Sequence, residues 1–281
     1  MADRSFQFML LAGVFFAVMN VCVKYVAHLP TLEVVLFRSV FSFVVTYYML
    51  RRQHIPPLGN NKPVLLWRGI AGCLGLIGSF YTLQHIPLAS AVTINYLSPF
   101  FTAILGIFIV KQKIRPVQYF YFLLSIFGVV LLKGFDFRIG TLDIFIGLGA
   151  AFFSGLAYNM IAKTKNSEHP LVIIFYFPLL TIPVAGIYSI FYWVTPIGAD
   201  WIFLLLIGIF TQLAQYYMTL AYQTANLAKV ASLNYLGVVY ALGFGYIFFQ
   251  ETFSTMSLLG IIIILIAVFL NIFDKKLFGL S

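Results

Sequence analysis

QHIPLASAVTINYLSPFFTAILG, residues 84–106, and QTANLAKVASLNYLGVVYALGFG, residues 223–245, are one pattern written twice. A single gapless shift of 139 residues lays Asn95-Tyr96-Leu97 on Asn234-Tyr235-Leu236, Gln84 on Gln223, Leu88-Ala89 on Leu227-Ala228 and Gly106 on Gly245. The same shift carries Asn20 onto Asn159, Lys24 onto Lys163 and Gly69 onto Gly208. Small apolar residues coincide easily in an apolar chain; asparagine, glutamine, lysine and glycine at one displacement do not. The chain therefore reads as two units, residues 1–138 and 139–281.

Composition says what solvent those units meet. Hydrophobic residues make up 62% of the chain and charged residues 9%, against about 25% charged in a soluble domain. That is too little charge to clothe a water-facing surface. The apolar residues fall in blocks of about 18 to 25, the length a helix needs to cross ~30 Å of hydrocarbon. A membrane barrel would alternate apolar and polar over about ten residues; Ile261 to Leu270 does not. The expected class is an all-α membrane protein.

Proline, glycine and charge punctuate ten predicted spans. The first five cover Ser5–Val26, Thr31–Leu50, Val64–Leu83, Leu88–Val110 and Pro116–Lys133. The second five cover Thr141–Lys163, Leu171–Val194, Trp201–Tyr222, Leu227–Phe249 and Ser254–Phe273. The first block is too long for a signal-peptide core and is followed by no small-residue cleavage site, so it reads as a span. With the N-terminus inside, cytoplasmic segments take thirteen of the seventeen Lys and Arg. Among these are Arg4, Arg51, Arg52, Lys62, Arg68, Lys111, Lys163 and Lys275. The positive-inside rule then puts both termini in the cytoplasm, at a cell inner (plasma) membrane. The net charge of +9 is spread among loops with no nucleic-acid motif, so no nucleic-acid partner is expected. Five spans per unit is an odd number, so the second unit enters from the opposite face, as two inverted five-helix repeats.

Polar residues inside the spans are the candidate site. Pro99 offers no N–H to the carbonyl of Asn95, freeing it beside the Asn95 amide; either a neighbouring helix satisfies this kink or a solute does. Tyr96 neighbours that kink, and Asn234 sits at the symmetric depth in the ninth span. Arg38 lies about seven residues into the second span, where a charge costs roughly 2.5–3.5 kcal/mol and must face the bundle interior or water. It attracts an anionic solute, bonds to carbonyls, or snorkels. Asn20 and Lys24 share a face of the first span, and Asn159 and Lys163 a face of the sixth. Lys24 and Lys163 lie near opposite membrane surfaces, where they close alternate gates or snorkel. Gln212, Gln215 and Tyr216 cluster on the eighth span; Tyr81 and Gln84 share a face of the third. Such amides are expensive against lipid and call for a polar cavity. Gly69, Gly72, Gly75 and Gly78 form a slanted groove for close helix packing.

Absences narrow the chemistry. No Asp or Glu sits near a span centre, and His28, His54, His85 and His169 lie near span boundaries. This leans towards facilitated diffusion or exchange rather than proton coupling. There is no Walker loop and no His/Glu zinc spacing, so no cofactor, metal or enzymatic activity is expected. Cys22 and Cys73 lack a ligand-spaced companion and read as packing residues.

The stretch from Pro87 to Gly106, with Phe37-Arg38, the Pro99 kink and Gln250-Glu251 after the ninth span, resembles the EamA domains of the drug/metabolite transporter superfamily. Arg38-Ser39 and Gln84-His85-Ile86-Pro87-Leu88-Ala89 are also similar to a solute carrier 35G-like branch. The chain differs in having Gln112 where the first repeat's acidic residue is expected and Val238 at the counterpart of Pro99. The resemblance implies alternating access around a cavity lined by the first, third, fourth, sixth, eighth and ninth spans. It also implies cargo drawn from amino acids, nucleotide derivatives, vitamins and organic anions. The reading that results is a secondary transporter of a small polar or anionic metabolite, monomeric or homodimeric in the bilayer. The solute would meet Asn20, Arg38, Tyr81, Asn95, Tyr96, Asn159, Gln212, Gln215, Tyr216 and Asn234; Lys24, Lys163 and Pro99 would gate. Competing readings are a channel-like facilitator, a membrane enzyme acting on lipid-linked substrates, and a scaffold or receptor-like bundle.

Overall fold

A computed structural model describes residues 4–95, 97–111, 117, 120–121, 123–124, 127–128, 131, 138–164, 167–224 and 236–277. The described elements are helical: α1 Arg4–Tyr25, α2 Thr31–Arg52, α3 Lys62–His85, α4 Leu88–Asn95, α5 Ser98–Ile109, α6 Thr141–Lys163, α7 Pro170–Phe191, α8 Asp200–Thr224, α9 Leu236–Phe249 and α10 Thr255–Leu277. Among the described residues, seven stretches are long and apolar enough to cross a membrane, one of them the α4–α5 pair taken together. Their outward apolar side chains, such as Phe108, Ile190 and Phe191, stand about three-quarters exposed, as lipid-facing residues do. Most of the predicted fifth span lies outside the described residues; those described within it, from Val117 to Leu131, are helical.

Local chemistry sets several of the helix starts. Pro30 precedes α2 and Pro63 lies in the first turn of α3, where a missing N–H leaves no bond unmade. Asp143 accepts the Gly140 N–H at 2.8 Å, and His169 Nδ1 accepts the Leu171 N–H at 3.3 Å. Within the fourth span the described residues form two helices on either side of Tyr96. α4 ends at Asn95, Leu97 turns, and Pro99 opens α5. α7 carries Pro178 and Pro183 inside it, interruptions that a hydropathy reading passes over.

The most extensive packings are α1 on α8, α3 on α6 and α2 on α7. Glycine permits the second. Side chains at Gly75 and Gly78 would strike α6 at Ser154 and Ala150, each 2.8 Å away. Nearly two turns earlier, Gly69 lies under Tyr176 and Leu180 of α7, so the stripe serves two partners in succession. Apolar clusters occupy both ends of the bundle. One gathers Val26, Leu29, Val34, Leu83 and Ile94; the other gathers Met9, Leu50, Leu65, Ile161 and Leu171. Cys22 and Cys73 are both buried and free.

Candidate solute-binding cavity

Between the two apolar clusters, at mid-helix level, the bundle holds a half-open cavity of about 150 Å³. α1 supplies Phe16, Met19 and Asn20, and α2 supplies Arg38. α3 contributes Arg68, Ser79 and Phe80, and the fourth span gives Val92, Asn95 and Ser98. α6 adds Ser154 and Tyr158, α7 Phe177, and α8 Gln215 and Met218. Asn95, the last described residue of α4, forms one edge, and its amide is held but not exhausted. Ser79 Oγ donates to Asn95 Oδ1 at 3.1 Å, and Asn95 Nδ2 reaches Thr82 Oγ1 at 3.5 Å.

Arg38 is 1% exposed. Its Nε donates to Thr211 Oγ1 at 3.1 Å, and its guanidinium lies 4.8 Å from the Phe177 ring centroid and 5.5 Å from that of Phe80. A second guanidinium, that of Arg68, is 2% exposed and lies 5.6 Å from the same Phe177 ring. The charge distribution of the sequence places Arg68 among the cytoplasmic basic residues. The structure corrects this: it stands inside α3, on the cavity. The missed signal is its place six residues into a helix that begins at Lys62. Among the described residues no carboxylate stands within ion-pair distance of either arginine; the ion pairs found are Lys24–Glu251 and His28–Asp200.

Of the predicted solute contacts, Asn20, Arg38, Asn95 and Gln215 come together on the cavity. The others do not. Asn159 is fully buried and donates from Nδ2 to the carbonyls of Thr102, at 2.9 Å, and Gly155, at 3.0 Å, clamping α5 to α6. Gln212 accepts from Ser42 Oγ at 2.6 Å and donates to Thr46 Oγ1 at 2.9 Å, so its amide ties α8 to α2. Tyr216 packs edge-on to Tyr217, and Tyr81 stacks on His85 at 3.9 Å. Gln84 donates to the carbonyls of Val26 and Leu29, both at 3.3 Å, bracing the α1–α2 turn. Tyr96 and Asn234 lie outside the described residues.

Lys24 ends in a compact polar knot. Its Nζ donates to the Ile86 carbonyl at 2.7 Å and pairs with Glu251 Oε1 at 3.0 Å. Both Glu251 oxygens accept the Leu88 N–H, at 2.9 and 2.8 Å, so a carboxylate caps the positive end of α4. Lys163, its counterpart under the 139-residue shift, is exposed. Among the described residues no group of side chains is suited to hold a metal.

Known proteins fall in line with this architecture. The model of the EamA-like transporter family matches residues 4–133 and 141–273. A pseudopaline exporter of Pseudomonas aeruginosa is 31% identical over 264 residues, covering 92% of each chain. Human solute carrier family 35 member G1 is 28% identical over 265 residues, covering 86% of this chain and 71% of that one. An S-adenosylmethionine uptake transporter of Rickettsia prowazekii is 25% identical over 270 residues, covering 95% and 92%. One crystal structure superposes with a TM-score of 0.71 at 14% identity, over 99% of this chain and 98% of that one, a likeness of fold alone.

Proposed function

The chain belongs to the EamA-like transporter family, and from that premise we propose that it is a secondary carrier moving a small polar or anionic metabolite by alternating access. The observation that carries the reading is the mid-bundle cavity, where Asn20, Arg38, Asn95 and Gln215 converge from four separate helices. Polar groups so placed are costly unless a solute or water uses them. In this reading those four residues hold the solute, while Lys24 and Pro99 act in gating. The protein is a multi-pass membrane transporter, and its relatives are named as transporters rather than enzymes.

Ten spans in two inverted repeats, residues 1–138 and 139–281, fit the packing. Moving five spans along the chain turns the α1–α8 contact into the α6–α3 contact and α2–α7 into itself. That permutation supports a pseudo-two-fold, as does the two-segment family match. Both termini lie in the cytoplasm of the plasma membrane in this proposal, and the lipid bilayer and the solute are the partners. Reconstituted protein is expected to show saturable uptake with trans-stimulation. Arg38→Ala and Asn95→Ala, each verified as inserted, should each lower kcat/KM at least tenfold; wild-type flux from both would remove the site, and unsaturable flux would replace the carrier with a channel.

A further inference from the structure

The cavity holds a second cation that the transport reading does not by itself require. Arg38 and Arg68 approach from α2 and α3, and their guanidinium carbons stand 4.8 and 5.6 Å from the one Phe177 centroid. The two charges therefore lie within about 10 Å of each other, close enough to repel in a medium of low polarisability. Neither is relieved by a carboxylate among the described residues. One donor of each is also unspent: Arg38 Nη1 and Arg68 Nε are buried without any hydrogen-bond partner. The space is kept for them, because a side chain at Gly72 would collide with an Arg68 guanidinium nitrogen and with the Phe177 ring. Buried guanidinium groups are retained where a planar acid group completes them in a two-pronged fork.

We infer that Arg38 and Arg68 form a two-point anion clamp across Phe177, and that the solute is a metabolite bearing two separated acid groups, one for each arginine. Phe177 spaces the clamp. It gives each cation a π-face while the cavity is empty, so the unliganded state survives without a counter-ion. Asn20, Asn95 and Gln215 would then read the neutral part of the solute between its acid ends. The inference rests on the carrier reading above but is separable from it.

The test needs no mutant to begin with. Malonate, succinate and glutarate, with succinate monomethyl ester and succinamide as size-matched partners of lower charge, are titrated into purified wild-type protein by thermal shift and calorimetry. The clamp predicts at least one dicarboxylate bound tenfold or more tighter than the monoester, with succinamide weakest. Arg68→Gln should erase that preference by weakening the dicarboxylate at least tenfold, while Arg68→Lys restores part of it. Equal affinities for diacid and monoester, or binding of neither, overturn the clamp. Saturable transport of a neutral or cationic solute alongside such a null leaves the carrier standing without the clamp; absence of saturable flux for any solute in the panel takes the carrier reading itself. Should Arg68→Gln fail to fold, the wild-type charge ladder still decides.

Discussion

Arg68 and Arg38 are six residues into α3 and seven into α2, yet only Arg38 stood out in the sequence. Arg68 follows Lys62 and a loop with Arg51 and Arg52, so charge counting absorbed it into the cytoplasmic tally. Depth within a helix, rather than proximity to a basic loop, was the property to read. Gly72 offers a sharp check: Gly72→Ala drives a methyl into Arg68 and Phe177, and overpacking of this kind costs about 1–3 kcal/mol. A lowered Tm with lost binding, against a near-neutral Gly149→Ala where the added methyl meets nothing within 4 Å, is the expected contrast. The knot at Lys24 gives a second. Glu251→Gln loses the ion pair and weakens the cap on Leu88 N–H, a change of about 1.5–3 kcal/mol for bonds to a charged group. The exchanged pair Lys24→Glu with Glu251→Lys should restore only part of the melting temperature, because a lysine cannot accept from Leu88.

At the scale of elements, spans announced themselves wherever apolar runs were bounded by proline or charge. Thr141–Lys163 appears with the predicted bounds, and α2 starts at Thr31 as expected after Pro30. Side-chain allegiance was harder to read, because helical spacing says which residues share a face but not what the face meets. Gln212 and Gln215 are three apart; the first is consumed by Ser42 and Thr46, the second opens on the cavity. Asn159 went the same way, taken up by the Thr102 and Gly155 carbonyls. Asn159→Leu should therefore lower stability without changing solute selectivity, read as Tm against KM. The start of α7 responds to pH. Burial holds the His169 imidazole below its ordinary range, and its neutral Nδ1 caps Leu171. A depressed folded pKa gives stability that is present above the unfolded value near 6.5 and lost as pH falls through the folded one. Melting curves of wild type should therefore decline on acidification below about pH 6.5, whereas His169→Asn, an N-cap that does not titrate, should flatten that limb.

For the whole molecule, a single shift of the sequence suggests the proposed repeat, and the packing of α1 on α8 and α3 on α6 is compatible with it. What the shift conceals is divergence. It pairs Lys24 with Lys163 and Glu251 with Gln112, so the ion pair that joins the two units at one place has a lysine and a glutamine at the shifted positions. Orientation is open to direct measurement: a reporter fused after residue 281 should be active in the cytoplasm, and one inserted between residues 138 and 140 should be active outside. The opposite pattern would invert the topology.

The single Lys24–Glu251 contact has a thermodynamic consequence for a carrier that faces both ways. A contact worth about 2 kcal/mol, made in only one of two facing states, changes their ratio roughly thirtyfold. The empty protein would then wait mostly with that end shut, and solute would have to be more concentrated on that side to half-fill it. Unequal half-saturation on the two faces cannot make a passive cycle run uphill, because the same bias enters the forward and return steps and cancels around the loop. In such a passive carrier it would set which side of the membrane is sampled first, and would leave the final distribution of solute to the gradient.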